Sequence, residues 1–283
     1  MSIPHRIMAL CALCLSLGAC GGGLADIRPD ALKVDGAPTS QQSERGRAII
    51  ERMARAHGID TWKTFNFMTA TSEDEWFNAF FYAVAAPYTE NPERARVASY
   101  IHQFPHARVE FLAGENASEV WTVKGRALKR RKASEDVESF EQKDDALFAA
   151  FAHNFLLWPN VPFHMATADQ WAYLDTKSWE GRTFERVLLS WKTLKPQADI
   201  DQWIVWVNTS THLMERVEFT IRLSGEGQLG VYNLRGFKDV QGMKVAHVYE
   251  GLLELEDEPL HTYTYSDIEF SQRQVVDLTK LAP

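Results

Sequence analysis

The stretch DQWIVWVNTSTHLMERVEFTIRL, residues 201–223, carries the clearest secondary-structure signal in the chain. Its second half alternates between an apolar and a polar set of residues: Leu213, Val217, Phe219, Ile221 and Leu223 against Arg216, Glu218, Thr220 and Arg222. Because successive side chains of a strand point to opposite faces, this alternation predicts a strand with one buried and one solvent-facing side. The first half, with Trp203 and Val205 on one face and Ile204 and Trp206 on the other, predicts a strand that is apolar on both sides. The NTST between them predicts a hairpin turn.

Segments with the same period of two recur along the chain from Thr64 onward, separated by Gly, Asn, Asp and Pro. They are ARVEFLA (107–113), SEVWTVKG (118–125), TFERVLLSWKTL (183–194), LGVYNLRGF (229–237), MKVAHVYEGLLEL (243–255) and HTYTYSDIEF (261–270). No interior linker or repeat divides them. The series predicts one α+β domain that is mostly β, built as an antiparallel meander.

Two segments predict helices that pack on this sheet. SERGRAIIERMARAHGIDTW (43–62) has helical spacing of its apolar residues, with Ser43 as the predicted cap, His57 as a polar residue at the helix end and Gly58 as the stop. DDALFAAFAHNFLLWP (144–159) has a broad aromatic face that includes Phe151 and Phe155. The segments 75–88 and 91–104 fit either helix or strand.

The N terminus, residues 1–23, contains all three cysteines of the chain, in MALCALCLSLGACGGG (8–23). A basic start followed by a short apolar run, Ile7–Leu17, is typical of a secretory signal, because a membrane-spanning helix needs about 20 apolar residues. LGAC (17–20) resembles the lipobox of bacterial lipoproteins, which implies removal of residues 1–19 and a covalent lipid on Cys20. A plain secretory signal is the alternative. In either case Cys11 and Cys14 leave with the signal, and the folded part needs no disulfide.

Residues 20–43 are rich in Gly, Pro and small polar residues, which predicts a flexible tether ahead of a folded domain at 44–283. The residue after Cys20 is Gly21. In the lipoprotein family, aspartate at this position retains many members at the inner membrane, so the resemblance implies the outer membrane of a Gram-negative envelope, with the domain facing the periplasm.

The chain carries 38 acidic and 30 basic residues, a net charge of −8, which argues against nucleic acid as a partner. Its one basic run, KGRALKRRK (124–132), is followed closely by the acidic EDVESFEQKDD (135–145). Opposite charges so close together predict a solvated hairpin or loop, with a patch for lipid headgroups as the alternative.

Several segments together resemble the LolA/LolB-like proteins. These are the lipobox and tether, IIERMARAHGIDTWK (49–63), WPNVPF (158–163), residues 201–222 and FKDVQGMKVAH (237–247). Members of that family are half-open antiparallel β-barrels with helices over a hydrophobic cavity, and they carry lipoprotein acyl chains or related lipids. The resemblance implies the same architecture here, with a hydrophobic concave face.

No local motif predicts an active site or a metal site. GEGQLG (225–230) matches the dinucleotide pattern GxGxxG, but it lies between two strands and opens no helix. His102 and His106 are separated by Phe104-Pro105, so they do not share a continuous helix. The sequence leaves open whether four further residues meet in space: His247, His261, Asp257 and Asp267. We therefore expect no catalytic residue, no metal and no cofactor beyond the lipid on Cys20.

Three functions follow from these observations. The first is a noncatalytic, membrane-anchored lipoprotein that binds a lipid or a lipoprotein acyl chain in a cavity lined by Phe151, Phe155, Trp203, Val205, Val217, Phe219 and Ile221. The second is an envelope enzyme that uses a histidine and a carboxylate in the same cavity. The third is a scaffold whose core is filled by its own side chains. An apolar cavity would favour the first function, a histidine–carboxylate cluster the second, and the lack of a cavity the third.

Overall fold

The computed structural model of the protein describes residues 24–86, 90–102, 106–114, 117–124, 127–131, 138–139, 158–222, 229–252 and 258–274. The helices in these ranges are α1 (Asp30–Asp35), α2 (Ser40–His57), α3 (Ile59–Trp62), α4 (Ala79–Ala85) and α5 (Val161–Met165), with a 3₁₀ turn at Trp158–Asn160. None of the described helices has the length and hydropathy needed to cross a membrane.

The strands are β1 (Phe67–Trp76), β2 (Glu93–Tyr100), β3 (His106–Phe111), β4 (Val120–Lys124), β5 (Ala127–Arg131), β6 (Glu138–Ser139), β7 (Gln170–Trp179), β8 (Arg182–Ser190), β9 (Trp203–Asn208), β10 (Met214–Thr220), β11 (Leu229–Arg235), β12 (Lys238–Val240), β13 (Met243–Val245), β14 (Val248–Leu252) and β15 (His261–Ser271). Thirteen of them form one antiparallel sheet in the order β6-β5-β4-β3-β2-β1-β15-β14-β11-β10-β9-β8-β7, and β12 pairs with β13. Within the described residues β6 and β7 do not pair, so the sheet stays open. The predicted mostly β, half-open antiparallel architecture is confirmed.

The sheet has helix α2 on one face and the N-terminal residues 24–36 on the other. The α2 side, called the inner face below, buries one large cluster that includes Ile49, Ile50, Met53, Val187 and Val205. The opposite side, called the outer face, buries a second cluster that includes Leu32, Phe184, Leu188, Ile204 and Trp206. Both faces of strands β9 and β10 are therefore largely removed from water.

Helix α2 starts four residues earlier than predicted, with its cap at Thr39. The side chain of Thr39 accepts a hydrogen bond from the backbone N–H of Gln42, and the side chain of Gln42 reaches back to the backbone of Thr39, so the cap is a capping box and not Ser43. The predicted end is confirmed: Gly58 has φ +91°, a left-handed conformation that glycine adopts without strain.

The first described residues do not form the flexible tether predicted for residues 20–43. The backbone N–H of Ile27 donates to Gln202 Oε1 at 3.2 Å, the guanidinium of Arg222 donates to the carbonyl of Ala25, and Leu32 is buried on the outer face. The composition of the segment suggested a free chain, but two apolar side chains, Ile27 and Leu32, contact the cluster on the outer face and hold the segment there.

The predicted hairpin at residues 201–223 is confirmed as β9 and β10, with Asn208 capping the turn through hydrogen bonds from the N–H groups of Ser210 and Thr211. The predicted alternation of faces is also correct. The prediction that the polar side of β10 faces solvent is wrong: Arg216 is 1% exposed and Thr220 is fully buried. Segment 24–36 and neighbouring tryptophans cover this side, which a single strand pattern does not reveal.

The structure assigns the two ambiguous segments. Segment 75–88 contains the end of β1 and helix α4, and segment 91–104 contains β2. Of the basic run at 124–132, the described residues are the end of β4 and strand β5, which pairs with β4 and with β6 in the acidic segment. The predicted helix at 144–157 and most of the glycine-rich motif at 225–230 lie outside the described residues.

Candidate hydrophobic ligand site

An aromatic stack covers the centre of the inner face. The rings of Trp203 and Phe219 stack with centroids 4.5 Å apart, and Tyr232 follows 6.1 Å from Phe219. Trp158 lies over the stack, 4.0 Å from Tyr232 and 5.8 Å from both Phe219 and Tyr249, and is fully buried. The indole of Trp158 therefore covers the aromatic stack on the inner face.

Strand register explains how Phe219 lies in this stack. Phe219 pairs with Trp203 on β9 and with Gly230 on β11. A Cβ at Gly230 would come within 2.6 Å of the Phe219 ring, so glycine is required for the ring to lie flat over the neighbouring strand. The stack is thus built from cross-strand neighbours, with the missing side chain at Gly230 leaving room for it.

The structure brings together the predicted cavity residues that it describes. Trp203, Val205, Val217 and Phe219 are buried in one inner-face cluster, and Ile221 packs against that cluster half-buried. Phe151 and Phe155 lie outside the described residues. Because Trp158 fills the inner face at this point, a ligand cavity lined by these residues stays a prediction.

A buried polar network adjoins the stack. The Nδ1 atom of His261 lies 2.8 Å from Asp74 Oδ1, and its Nε2 atom lies 2.7 Å from the hydroxyl of Tyr232. The indole N–H of Trp76 donates to Asp74 Oδ2 at 3.0 Å, and the Trp76 ring stacks on His261 at 4.4 Å. When Asp74 is ionised it accepts both hydrogen bonds, so His261 Nε2 accepts from the Tyr232 hydroxyl and the chain of hydrogen bonds is complete.

Sequence analysis identified His261 but not its partners. Asp74 is 187 residues away in the chain, and the suggested partner Asp267 instead accepts a hydrogen bond from Ser266. Asp257 lies outside the described residues. The available signal was Gly251 within a strand pattern: it pairs with Tyr232 and with the histidine, and a Cβ there would lie 2.6 Å from His261 Nε2. An isolated strand glycine marks a close approach of neighbouring groups.

Burial sets the electrostatics of the network. Desolvation raises the pKa of Asp74, and the charge and hydrogen bond of His261 oppose that rise. Desolvation also raises the pKa of Tyr232 well above its ordinary value, and the negative charge of Asp74 adds to this effect. The tyrosine hydroxyl is thus protonated at neutral pH and serves as a hydrogen-bond donor within an otherwise apolar surface.

An open groove lies beside the inner face, between α2, α3 and α5. It has a volume of about 480 Å³, within the range of small-molecule sites. Its apolar wall includes Ile50, Trp62 and Phe163, and its charged residues include Arg47 and Glu51, which pair at 2.8 Å. None of the five predicted cavity residues that the structure describes lines this groove.

The described residues contain no cluster of three or more histidine, cysteine or acidic side chains that could hold a metal ion. The side chain of His102 contacts the carbonyl of Phe65 at 2.7 Å, and His106 starts strand β3. His247 is buried beside the carbonyl of Val245. The histidines noted in the sequence therefore serve separate local contacts, apart from His261.

Superposition on solved structures identifies the fold of the chain. The chain superposes on a LolA superfamily protein from Nitrosomonas europaea with a TM-score of 0.50 and 16% identity, over 82% of this chain and 94% of the other. The chain has the fold of the LolA superfamily. A DUF1329 family protein from Desulfovibrio piger gives a TM-score of 0.52 at 8% identity, over 81% and 93% of the two chains. A domain named for outer membrane lipoprotein sorting, from Vibrio parahaemolyticus, gives 0.50 at 13% identity, over 80% and 92%.

No protein-family model matches the chain, and no curated protein matches it. At identities of 8–16%, the similarity extends to the LolA-superfamily fold and not to individual side chains. Function has to be argued from the inner face itself.

Proposed function

We propose that this protein is a noncatalytic, lipid-anchored protein of the bacterial envelope that binds a hydrophobic ligand, a lipid or a lipoprotein acyl chain, on the inner face of its open sheet. The single observation that carries the proposal is the aromatic stack of Trp203, Phe219 and Tyr232 under the side chain of Trp158. Acyl chains gain free energy from apolar contact of tolerant shape and need few hydrogen bonds.

The arrangement of Trp158 supports exchange with a ligand. It is the first residue of the buried 3₁₀ turn Trp158–Asn160, which precedes α5. Its contacts to the stack are ring contacts, and its indole N–H has no hydrogen-bond partner among the described residues. Withdrawal of Trp158 would expose the stack and the Tyr232 hydroxyl, which donates its proton to His261 Nε2 and keeps an oxygen lone pair that could accept a hydrogen bond from the polar end of an amphiphile.

The anchor in this proposal is Cys20, whose thiol takes a diacylglyceryl group before cleavage removes residues 1–19, and which is inserted in the outer membrane with the domain in the periplasm. More than one acyl chain on the cysteine would hold the protein stably, because a single chain binds only marginally. The Cys20→Ala variant is expected to leave the membrane fraction, whereas Cys14→Ala, within the segment that is removed, serves as the matched control and should stay in it. A Cys20→Ala variant that remained membrane-bound after a salt wash would contradict the anchor.

The ligand is tested by mass spectrometry of lipids extracted from protein that is purified without detergent. The acylated protein is compared with Cys20→Ala, so that copurifying lipid is distinguished from the covalent anchor. A stoichiometric lipid in the Cys20→Ala sample supports binding by the domain. A lipid-free sample that also fails to bind added phospholipid would leave the filled scaffold as the better interpretation.

A second candidate is favoured by one specific observation, the Asp74–His261–Tyr232 network, since a buried carboxylate that orients a histidine is also found in acid–base catalysis. In that case a bound lipid would be converted over time. Incubation with phospholipid, followed by mass spectrometry, distinguishes the two: an unchanged lipid supports the carrier, and turnover that is lost in Tyr232→Phe supports the enzyme.

A further inference from the structure

We propose that one end of the sheet, which carries four exposed apolar side chains, rests on the membrane that holds Cys20. This inference relies on the lipid anchor of the proposed function and adds an interaction surface and an orientation to it. The four residues, called the apolar rim below, are Phe77, Phe80, Leu112 and Leu229.

The apolar rim is unusual because its side chains are exposed. Phe77 is 57% exposed, Phe80 55%, Leu112 38% and Leu229 52%, and only one other large apolar residue in the described ranges, Val34, is comparably exposed. Exposed apolar side chains that gather in one region mark an interaction site, whereas scattered single residues do not.

Strand direction places these residues at the same end of the sheet. Phe77 follows the last residue of β1, Leu112 follows the last residue of β3, and Leu229 is the first residue of β11. In the antiparallel order β3-β2-β1-β15-β14-β11, the ends of β1 and β3 and the start of β11 lie at one edge. Phe80 lies in α4, which directly follows Phe77. The apolar rim thus spans six neighbouring strands.

The N-terminal segment reaches the sheet at this same end. The carbonyl of Ala25 accepts a hydrogen bond from Arg222, which follows the end of β10, and Ile27 binds Gln202, which precedes the start of β9. The last residue of β10, Thr220, pairs with Leu229 of the apolar rim. The point at which the chain leaves the sheet is therefore one strand away from the rim.

The short segment between Cys20 and Leu24 limits the distance from the acylated cysteine to the sheet. Three residues separate Cys20 from Leu24, so the segment between these two residues spans at most about 15 Å when fully extended. The longest strand, β15, has 11 residues and is about 36 Å long. An acylated Cys20 therefore holds the rim end of the sheet near the bilayer and keeps the opposite end away from it.

The chemistry of the rim matches a lipid surface. Aromatic and aliphatic side chains favour the membrane interface, and binding there scales with the apolar area that is buried. A protein partner would need complementary shape, whereas a bilayer accepts apolar groups that are spread over several strands. The docked segment and the apolar rim support the same orientation through independent contacts.

Depth-dependent fluorescence quenching tests this orientation in the full acylated protein, reconstituted in phosphatidylethanolamine/phosphatidylglycerol vesicles. Bimane is attached to Phe80→Cys at the rim or to Ser210→Cys in the exposed β9–β10 turn at the opposite end. After processing and acylation, the introduced cysteine is the free thiol. Glu258→Cys, just before β15 at the same end of the sheet, is a second labelling position that leaves all four apolar side chains of the rim intact. The quencher is a lipid with a nitroxide on carbon 5 of its acyl chain.

We expect quenching at positions 80 and 258 to exceed that at position 210 by at least threefold. Equal quenching at the two ends, or no quenching at either rim position in vesicle-bound protein, would overturn the proposal and leave the rim as a protein-binding surface. Protein that lacks the acyl mass and stays in the soluble fraction would instead contradict the anchor, so the two failures are distinguishable.

Discussion

The two faces of strands β9 and β10 are both largely closed to water, but by different chemistry. On the inner face, Trp203 and Phe219 stack with other rings and make contacts that depend little on direction. On the outer face, the guanidinium of Arg216 lies 4.6 Å from the ring of Trp179 and 5.4 Å from that of Trp206, and Glu218 accepts a hydrogen bond from the Trp206 indole at 2.6 Å.

This difference indicates a division of roles. Contacts between apolar rings can be replaced by contacts with hydrocarbon at little cost, because the hydrophobic effect follows area and not direction. Separating the partners of a buried cation–π contact or ion pair destabilises the fold, because a charge is then left without its partner. We infer that the outer face keeps the sheet in shape while the inner face exchanges its contacts with a ligand.

The largest effect is expected for Trp158→Ala. Loss of a fully buried indole should lower the free energy of unfolding by about 3–5 kcal/mol. The apolar probe N-phenyl-1-naphthylamine, at 100 times its dissociation constant, should restore about 2–3 kcal/mol by binding in the vacated space. Urea unfolding with and without the probe measures both.

Trp206→Ala on the outer face is the control for this experiment. It should destabilise the protein without rescue by the probe, since the carboxylate of Glu218 and the guanidinium of Arg216 contact that indole and would border the vacated space. Equal rescue of both variants would remove the distinction between the faces.

The second-largest loss of stability is expected at acid pH, through His57. His57 on α2 is clamped between the inner-face strand β10 and β13: its Nδ1 atom donates to the carbonyl of Lys244 at 2.7 Å and its Nε2 atom accepts from the N–H of Met214 at 3.0 Å. Burial lowers the pKa of His57 from 6.5 to about 4. The stabilisation by the neutral ring is complete above pH 6.5 and is lost as the pH falls towards 4, in total about 3 kcal/mol.

The ion pairs of the outer face should lose their contribution to stability at a lower pH than His57 does. Hydrogen bonds from Arg186 and Arg235 lower the pKa values of Asp175 and Glu180, so their contribution is lost only below about pH 4. Urea unfolding of the parent and of His57→Gln at pH 7, 5.5 and 4.5 isolates the histidine, with exposed His102→Gln as control. An identical slope for the parent and His57→Gln would contradict the clamp.

A smaller loss of stability is expected for Arg216→Met, which keeps the apolar stem of the side chain but removes its charge from between two tryptophans. The loss should be about 2 kcal/mol, from two desolvated cation–π contacts of about 1 kcal/mol each, and should change little with salt. Thermal unfolding at low and high ionic strength measures this loss.

Arg47→Met is the control. It breaks an exposed pair with Glu51 on α2, which should cost about 0.3–0.5 kcal/mol and depend on salt. A loss below that of Arg47→Met would show that Arg216 does not stabilise the outer face.

The smallest effect is expected for Asp26→Asn at the edge of the outer face. Asp26 pairs with Arg28 at 2.8 Å and accepts a hydrogen bond from Gln202, and weakening both should cost about 1 kcal/mol. Hydrogen exchange in residues 24–36 should increase while that of β9 stays unchanged. Unchanged exchange in this segment would indicate that the remaining contacts, of Ala25, Ile27 and Leu32, hold it without Asp26.

Local patterns predicted much of this structure because their causes are local. The alternation in residues 201–223 fixed the faces of β9 and β10, and Gly58 marked the end of α2. The burial of Arg216 and the contact of Asp74 with His261 depend on segments far away in the chain, so no local pattern reports them. The composition of residues 20–43 resembled that of a free linker, yet the few apolar side chains among them were enough to dock part of the segment.

The central claim, that the inner face binds a hydrophobic ligand, is tested most directly by titrating N-phenyl-1-naphthylamine into the Cys20→Ala protein and into its Phe219→Ala and Phe184→Ala variants. Both phenylalanines are buried, Phe219 on the inner face and Phe184 on the outer face, so each substitution should cost about 3–5 kcal/mol of stability. We predict that Phe219→Ala weakens probe binding at least tenfold and that Phe184→Ala changes it less than twofold. A parent protein that binds no probe, or variants that lose binding equally, would contradict the account.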